Sequence, residues 1–134
     1  AFAFECAQKA NKQLSSKAKE YKAYVKKMPM LIKTNGLGAA MAFAFAKGSK
    51  DGELSEKKAW GLLYLHIEQW LAQDEKQIIE FKKHRLIQQL LNEPSTTYRA
   101  VTVEIMAFLA WLRRFADGLI SGDATNQEEE YDGD

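Results

Sequence analysis

Five lysines near the start of the chain pose the first chemical question. Lys12, Lys19 and Lys26 recur every seven residues, with Lys9 and Lys22 filling in on the same face. An α-helix would gather all five within an arc of about 140°. Only Glu5 and Glu20 are acidic in the first 33 residues. Such a face is either an ordinary solvated surface or a track for the phosphates of a polyanion. Lysines not interleaved with acids repel one another unless an anion lies beside them. The pattern alone leaves both readings open. Phe81-Lys82-Lys83-His84-Arg85 and Arg113-Arg114 are further basic clusters, and solvation accounts for either by itself. Arg113 can also pair with Asp117 one helical turn on.

The residues that would carry catalysis are sparse. His66 and His84 lie in different predicted helices without metal-ligand spacing, so a zinc site is unsupported. A histidine pair could do acid–base chemistry on a phosphodiester. His66, however, stands between Leu65 and Ile67 and reads as a packed side chain. Clustered carboxylates of the two-metal kind are missing from the predicted helices, as is a phosphate-binding loop. Gly36-Leu37-Gly38 runs into Ala39-Ala40 in a helical context instead of following a strand. Trp60, Trp70 and Trp111 fall on apolar stripes and are assigned to the core instead of to base stacking. No catalytic residue, metal ligand or cofactor site is assigned.

The elements that would position these residues are helices. Proline occurs only at Pro29 and Pro94, among 134 residues rich in Ala, Leu, Lys, Gln and Glu. Five helical segments can be drawn: about Phe4 to Lys27, Pro29 to Lys47, Glu53 to Ala72, Asp74 to Leu91, and a last one from Ser95 or Thr96. In the first, Ala7, Leu14, Tyr21 and Met28 form an apolar stripe with Ala18 and Val25. Ile79, Leu86 and Leu90 share one side of the fourth. In the last, Tyr98, Val101, Ile105, Phe108, Leu112, Phe115 and Leu119 step by three and four without a miss. Residues 48–52 (Gly-Ser-Lys-Asp-Gly) form a turn cluster. The prediction is an all-α, compact single-domain bundle of about five to six helices over residues 1–121. Residues 122–134 form an acidic tail expected to be disordered.

All 19 basic residues precede Asp117, whereas seven of the 18 acidic ones lie from Asp117 onward, which leaves residues 1–116 with a formal charge of +8. The lone Cys6 offers no internal disulfide and points to a reducing compartment. The longest apolar run, Leu37 to Ala46, is too short for a bilayer, so no membrane partner is expected.

Residues 24–43 (YVKKMPMLIKTNGLGAAMAF), 60–71 (WGLLYLHIEQWL) and 102–120 (TVEIMAFLAWLRRFADGLI) together resemble the small subunit of the type III-B (Cmr) CRISPR effector complex. The resemblance implies an all-helical, non-catalytic, cytoplasmic protein that stacks in several copies inside an RNA-guided ribonucleoprotein. Its partners would be guide and target RNA, the other Cmr subunits and further copies of itself, with RNA cleavage left to other subunits. Lys12, Lys19, Lys22, Lys26, Lys33, Arg113 and Arg114 are then the candidate nucleic-acid contacts. In this reading residues 30–47 are one helix, and Gly36 and Gly38 are small side chains for tight helix packing. The alternative is a helical protein–protein adaptor whose lysines are only solvated.

Overall fold

The computed structural model describes residues 1–73 and 85–122. The chain opens with α1 (Phe2–Leu14), passes through one 3-10 turn (Ser15–Lys17) and resumes as α2 (Ala18–Asn35). The single helix expected from Phe4 to Lys27 is thus two helices. Ser15 makes the break, with a φ of +50° that a right-handed helix does not contain. The apolar stripe stays in phase across it, and Ala7, Leu14, Ala18, Tyr21, Val25 and Met28 are all buried.

Pro29 does not open a helix, as its preference for a first turn suggested. It sits inside α2, where proline costs about 3 kcal/mol through a lost hydrogen bond and a steric clash. Met28 and Ile32 on either side are buried. Burial worth about 1.5–3 kcal/mol for each such side chain holds the helix through it.

One helix over residues 30–47 is not what forms. Gly36, with φ +87° and ψ 159°, separates α2 from α3 (Leu37–Gly48). A side chain at that conformation is strained, so glycine is needed here for its backbone. The Gly36 amide donates to the Ile32 carbonyl at 2.8 Å, and the Gly36 carbonyl accepts from the Ala40 amide at 3.1 Å. Both helices therefore keep their pairing across a one-residue joint. A Cβ at Gly36 or Gly38 would meet only the Tyr98 hydroxyl, at 3.7 and 3.5 Å, which is ordinary contact instead of the tight packing expected.

Packing that only glycine permits occurs at two other positions. Gly48 ends α3 and Gly61 lies in α4 (Ala59–Leu71). A Cβ on Gly48 would run into the Gly61 backbone, and a Cβ on Gly61 into the Ser55 carbonyl. Between the two helices, β1 (Ser49–Lys50) pairs antiparallel with β2 (Glu53–Leu54). The connecting Asp51 and Gly52 have φ of +55° and +85°, as a two-residue hairpin loop requires. The turn at residues 48–52 was legible, but the following helix starts at Ala59 instead of Glu53.

Of the segment expected to be helical from Asp74 to Leu91, only α5 (Leu86–Leu90) is described. Residues 74–84, with Ile79, Lys82, Lys83 and His84, lie outside the described residues, as does the tail beyond Gly122. The last helix, α6 (Ser95–Leu119), follows its predicted period: Val101, Ile105, Phe108 and Leu112 are fully buried. It is the spine of the bundle. Helix α1 lies along it, with Phe2 against Phe108 and Phe4 against Phe115, α2 packs against it as well, and α3 and α4 pack on each other and on α2. No helix among the described residues is long and apolar enough to cross a membrane.

Candidate nucleic-acid interface

The break at Ser15–Lys17 and the path of α2 divide the five-lysine face. Lys9, Lys12 and Lys33 are exposed, and Lys19 is half-buried. Lys22 is only 8% exposed. Its ammonium donates to the Ile120 carbonyl at 3.1 Å and to the Gly122 carbonyl at 3.0 Å, closing the C-terminal end of α6. Carbonyls left over at a helix end need donors, and a lysine from a neighbouring helix supplies them. Lys26 lies one turn on and pairs with Asp117 at 3.2 Å, both side chains being well exposed. The middle of the expected track therefore holds two helices together instead of facing a ligand. Asn11 of α1 adds a third tie, its amide donating to the Leu119 carbonyl at 3.2 Å.

Arg113 and Arg114 are both exposed on α6. Helix α1 reaches the same half of α6, where Phe4 meets the Phe115 ring edge-on at 5.4 Å. Lys12 and the arginine pair thus come from adjacent helices, far apart in sequence. Trp111 departs from its assignment to the core, being 54% exposed. The Arg114 guanidinium lies over its ring at 5.3 Å, and Phe115 stacks on it at 6.0 Å. The period explains this: Trp111 precedes the buried Leu112 and is rotated off the apolar stripe. Trp60 is core as expected, stacked on Tyr24 at 4.3 Å. Trp70 is half-buried and stacks on Phe108 at 5.1 Å.

His66 is packed, as its apolar neighbours suggested. It is 1% exposed and its Nδ1 lies 2.6 Å from the Tyr21 hydroxyl. Burial, with a smaller contribution from Lys9, pushes its pKa down to about 4, so the ring is neutral near pH 7. Cys6 is also buried, and desolvation raises its thiol to about 12, far from the reactive range. No group of three or more His, Cys, Asp or Glu that could hold a metal occurs among the described residues. Arg85, the described member of the 81–85 cluster, pairs with Glu68 at 2.6 Å. Glu68 also accepts from the Leu86 amide at 2.9 Å, which fixes the start of α5.

Tyr21, Tyr64 and Tyr98 were not singled out as polar anchors: Tyr21 bonds to His66, the Tyr64 hydroxyl accepts from the Ile87 amide at 3.0 Å, and the Tyr98 hydroxyl accepts from the Gly38 amide at 2.7 Å. A tyrosine on an apolar helical stripe must find a partner for its hydroxyl, and that was the available signal.

Fold and surface define a small helical protein with exposed basic residues on three of its helices. A model of the family described as CRISPR-associated protein (Cas_Cmr5) matches residues 1–119, which takes in every described helix. The chain belongs to that family, the small subunit of the type III-B (Cmr) CRISPR complex.

Proposed function

We propose that this chain is a non-catalytic, cytoplasmic subunit of a Cmr ribonucleoprotein, stacking in several copies and touching the backbone of guide or target RNA during antiviral defence. The observation that carries the RNA contact is cationic: Lys12, Lys33, Arg113 and Arg114 are exposed on a body of formal charge +8. Lys19, half-buried, and Lys26, paired with Asp117, are weaker candidates. Lys22 is excluded, since its ammonium is taken up by two carbonyls. Lysine and arginine placed this way answer to phosphate charge and not to base sequence. The non-catalytic role is supported by a His66 that is buried and bound to Tyr21. The bundle occupies residues 1–121 in this reading.

Fluorescence anisotropy with single-stranded RNA at several salt concentrations tests the proposal. About four neutralised phosphates give a slope of log K against log salt of roughly −3. Charge reversal at Lys33, Arg113 and Arg114 together should weaken binding and flatten the slope without altering the helical spectrum. Equal binding by parent and variant, alone and in the assembled complex, would refute it. The adaptor reading gains from the exposure of Val103 and Trp111 on α6, apolar surface that suits a protein partner. It predicts association without that salt dependence.

A further inference from the structure

Helices α1 and α4 line an open cleft of about 410 Å³, within the range of small-ligand sites. One wall is Phe2, whose ring is held by Trp70 at 6.1 Å and Phe108 at 5.9 Å. Lys9 and Lys12 stand on the α1 side, and neither has an ion pair among the described residues. Gln69 of α4 contributes an exposed amide, also without a hydrogen-bond partner there. The floor is His66.

The tautomer of His66 follows from its neighbour. Tyr21 is fully buried, and its hydroxyl has His66 Nδ1 as its hydrogen-bond partner. If that hydroxyl only accepted, its own proton would be buried without an acceptor. The phenol therefore donates to Nδ1, and the proton of the neutral imidazole sits on Nε2. Nε2 has no protein partner among the described residues, and His66 is one of the residues that line the cleft.

We propose that this cleft takes one unstacked nucleotide of an RNA strand, its phosphate on Lys9 and Lys12 and its base against Phe2, Gln69 and the His66 Nε2–H. The proposal rests on the RNA reading above and adds a place where a base is held. A bare anion leaves the Phe2 ring and the Gln69 amide unused. A nucleotide uses each feature: ammonium groups for phosphate, a ring wall for the base face, and an amide and an N–H for its polar edge.

The test is an NMR titration of the full ¹⁵N-labelled chain with uridine monophosphate, with inorganic phosphate, and with an oligouridylate of about eight nucleotides. The His66 ring nitrogens and the Gln69 side-chain amide are followed, with anisotropy in parallel for the oligonucleotide. Both nucleotide probes should shift the two groups, and phosphate should leave them in place. Gln69→Trp fills the cleft from an exposed position and should abolish these shifts and weaken oligonucleotide binding by about fivefold or more. Gln69→Ala should weaken binding less, and thermal melts report whether either variant is folded. If the oligonucleotide binds with the expected salt slope yet His66, Gln69 and the Gln69→Trp affinity are unaffected, the nucleotide site falls and the RNA reading stands. If phosphate alone shifts both groups as far as uridine monophosphate does, no base is held and the proposal is overturned. If only the mononucleotide binds, the strand-bound form of the proposal and the RNA reading fall together.

Discussion

Replacing Lys22 by methionine keeps most of the apolar stem but removes the ammonium that the Ile120 and Gly122 carbonyls share. Hydrogen bonds to a charged group contribute about 1.5–3 kcal/mol in total stability terms. Thermal unfolding should show a loss of that order, while the exposed Lys33→Met changes stability by less than about 0.5 kcal/mol. A sequence pattern cannot separate these two lysines. Both sit at positions of a basic face, and what distinguishes Lys22 is a helix terminus 98 residues away. His66 supplies a pH prediction. Its pKa is about 4 in the fold against an ordinary value of 6.5, so the unfolded chain binds the extra proton between those values. The contribution to stability is complete above pH 6.5 and is lost as pH falls toward 4, about 3 kcal/mol in all. Urea denaturation at pH 7 and pH 4.5 should show this slope, superposed on that of the carboxylates, and His66→Gln should lack it. Here the sequence did suffice, because a histidine between apolar neighbours on a buried stripe has nowhere to ionise.

At the scale of elements, the two glycines of the α2–α3 junction should respond in opposite directions. Gly36→Ala forces a side chain into φ +87° and should cost about 1–3 kcal/mol. Gly38 lies inside α3 with only the Tyr98 hydroxyl nearby. Gly38→Ala should be neutral or stabilising by up to about 1 kcal/mol, since alanine restricts the unfolded chain and favours the helix. Equal losses at both positions, measured by urea denaturation, would contradict the joint. Helix α6 was readable almost to the residue because its apolar steps are long and uninterrupted. The division of α1 from α2 was not, since the stripe remains in phase through Ser15–Lys17 and periodicity carries no mark of the break. Two-residue strands leave no period at all, which is why Glu53 and Leu54 read as the start of a helix.

At the scale of the whole molecule, charge is the legible quantity. On the proposed RNA reading, the acidic residues beyond Gly122 would compete with RNA for the same cations, being tethered to the chain that carries them. Removing residues 123–134 should therefore tighten RNA binding at low salt, an effect that fades as salt screens both interactions. Anisotropy of the truncated and full chains checks it, and equal affinities at low salt would exclude the competition. The class of fold was legible because every long segment carries a helical period; the placement of the cations was not, because it depends on which helices cross. The backbone contact between Gly48 and Gly61 has a consequence for how quickly this arrangement is reached. Its two sides are close in sequence, linked by the hairpin and residues 55–58, so closing it demands little loop entropy. The α3–hairpin–α4 unit can thus assemble before the distant α1–α6 contact, whose closure spans most of the chain. Gly61→Ala should accordingly slow refolding, whereas Lys22→Met, which acts on a late long-range tie, should chiefly hasten unfolding. Stopped-flow refolding and unfolding of the two variants would reveal the order of assembly.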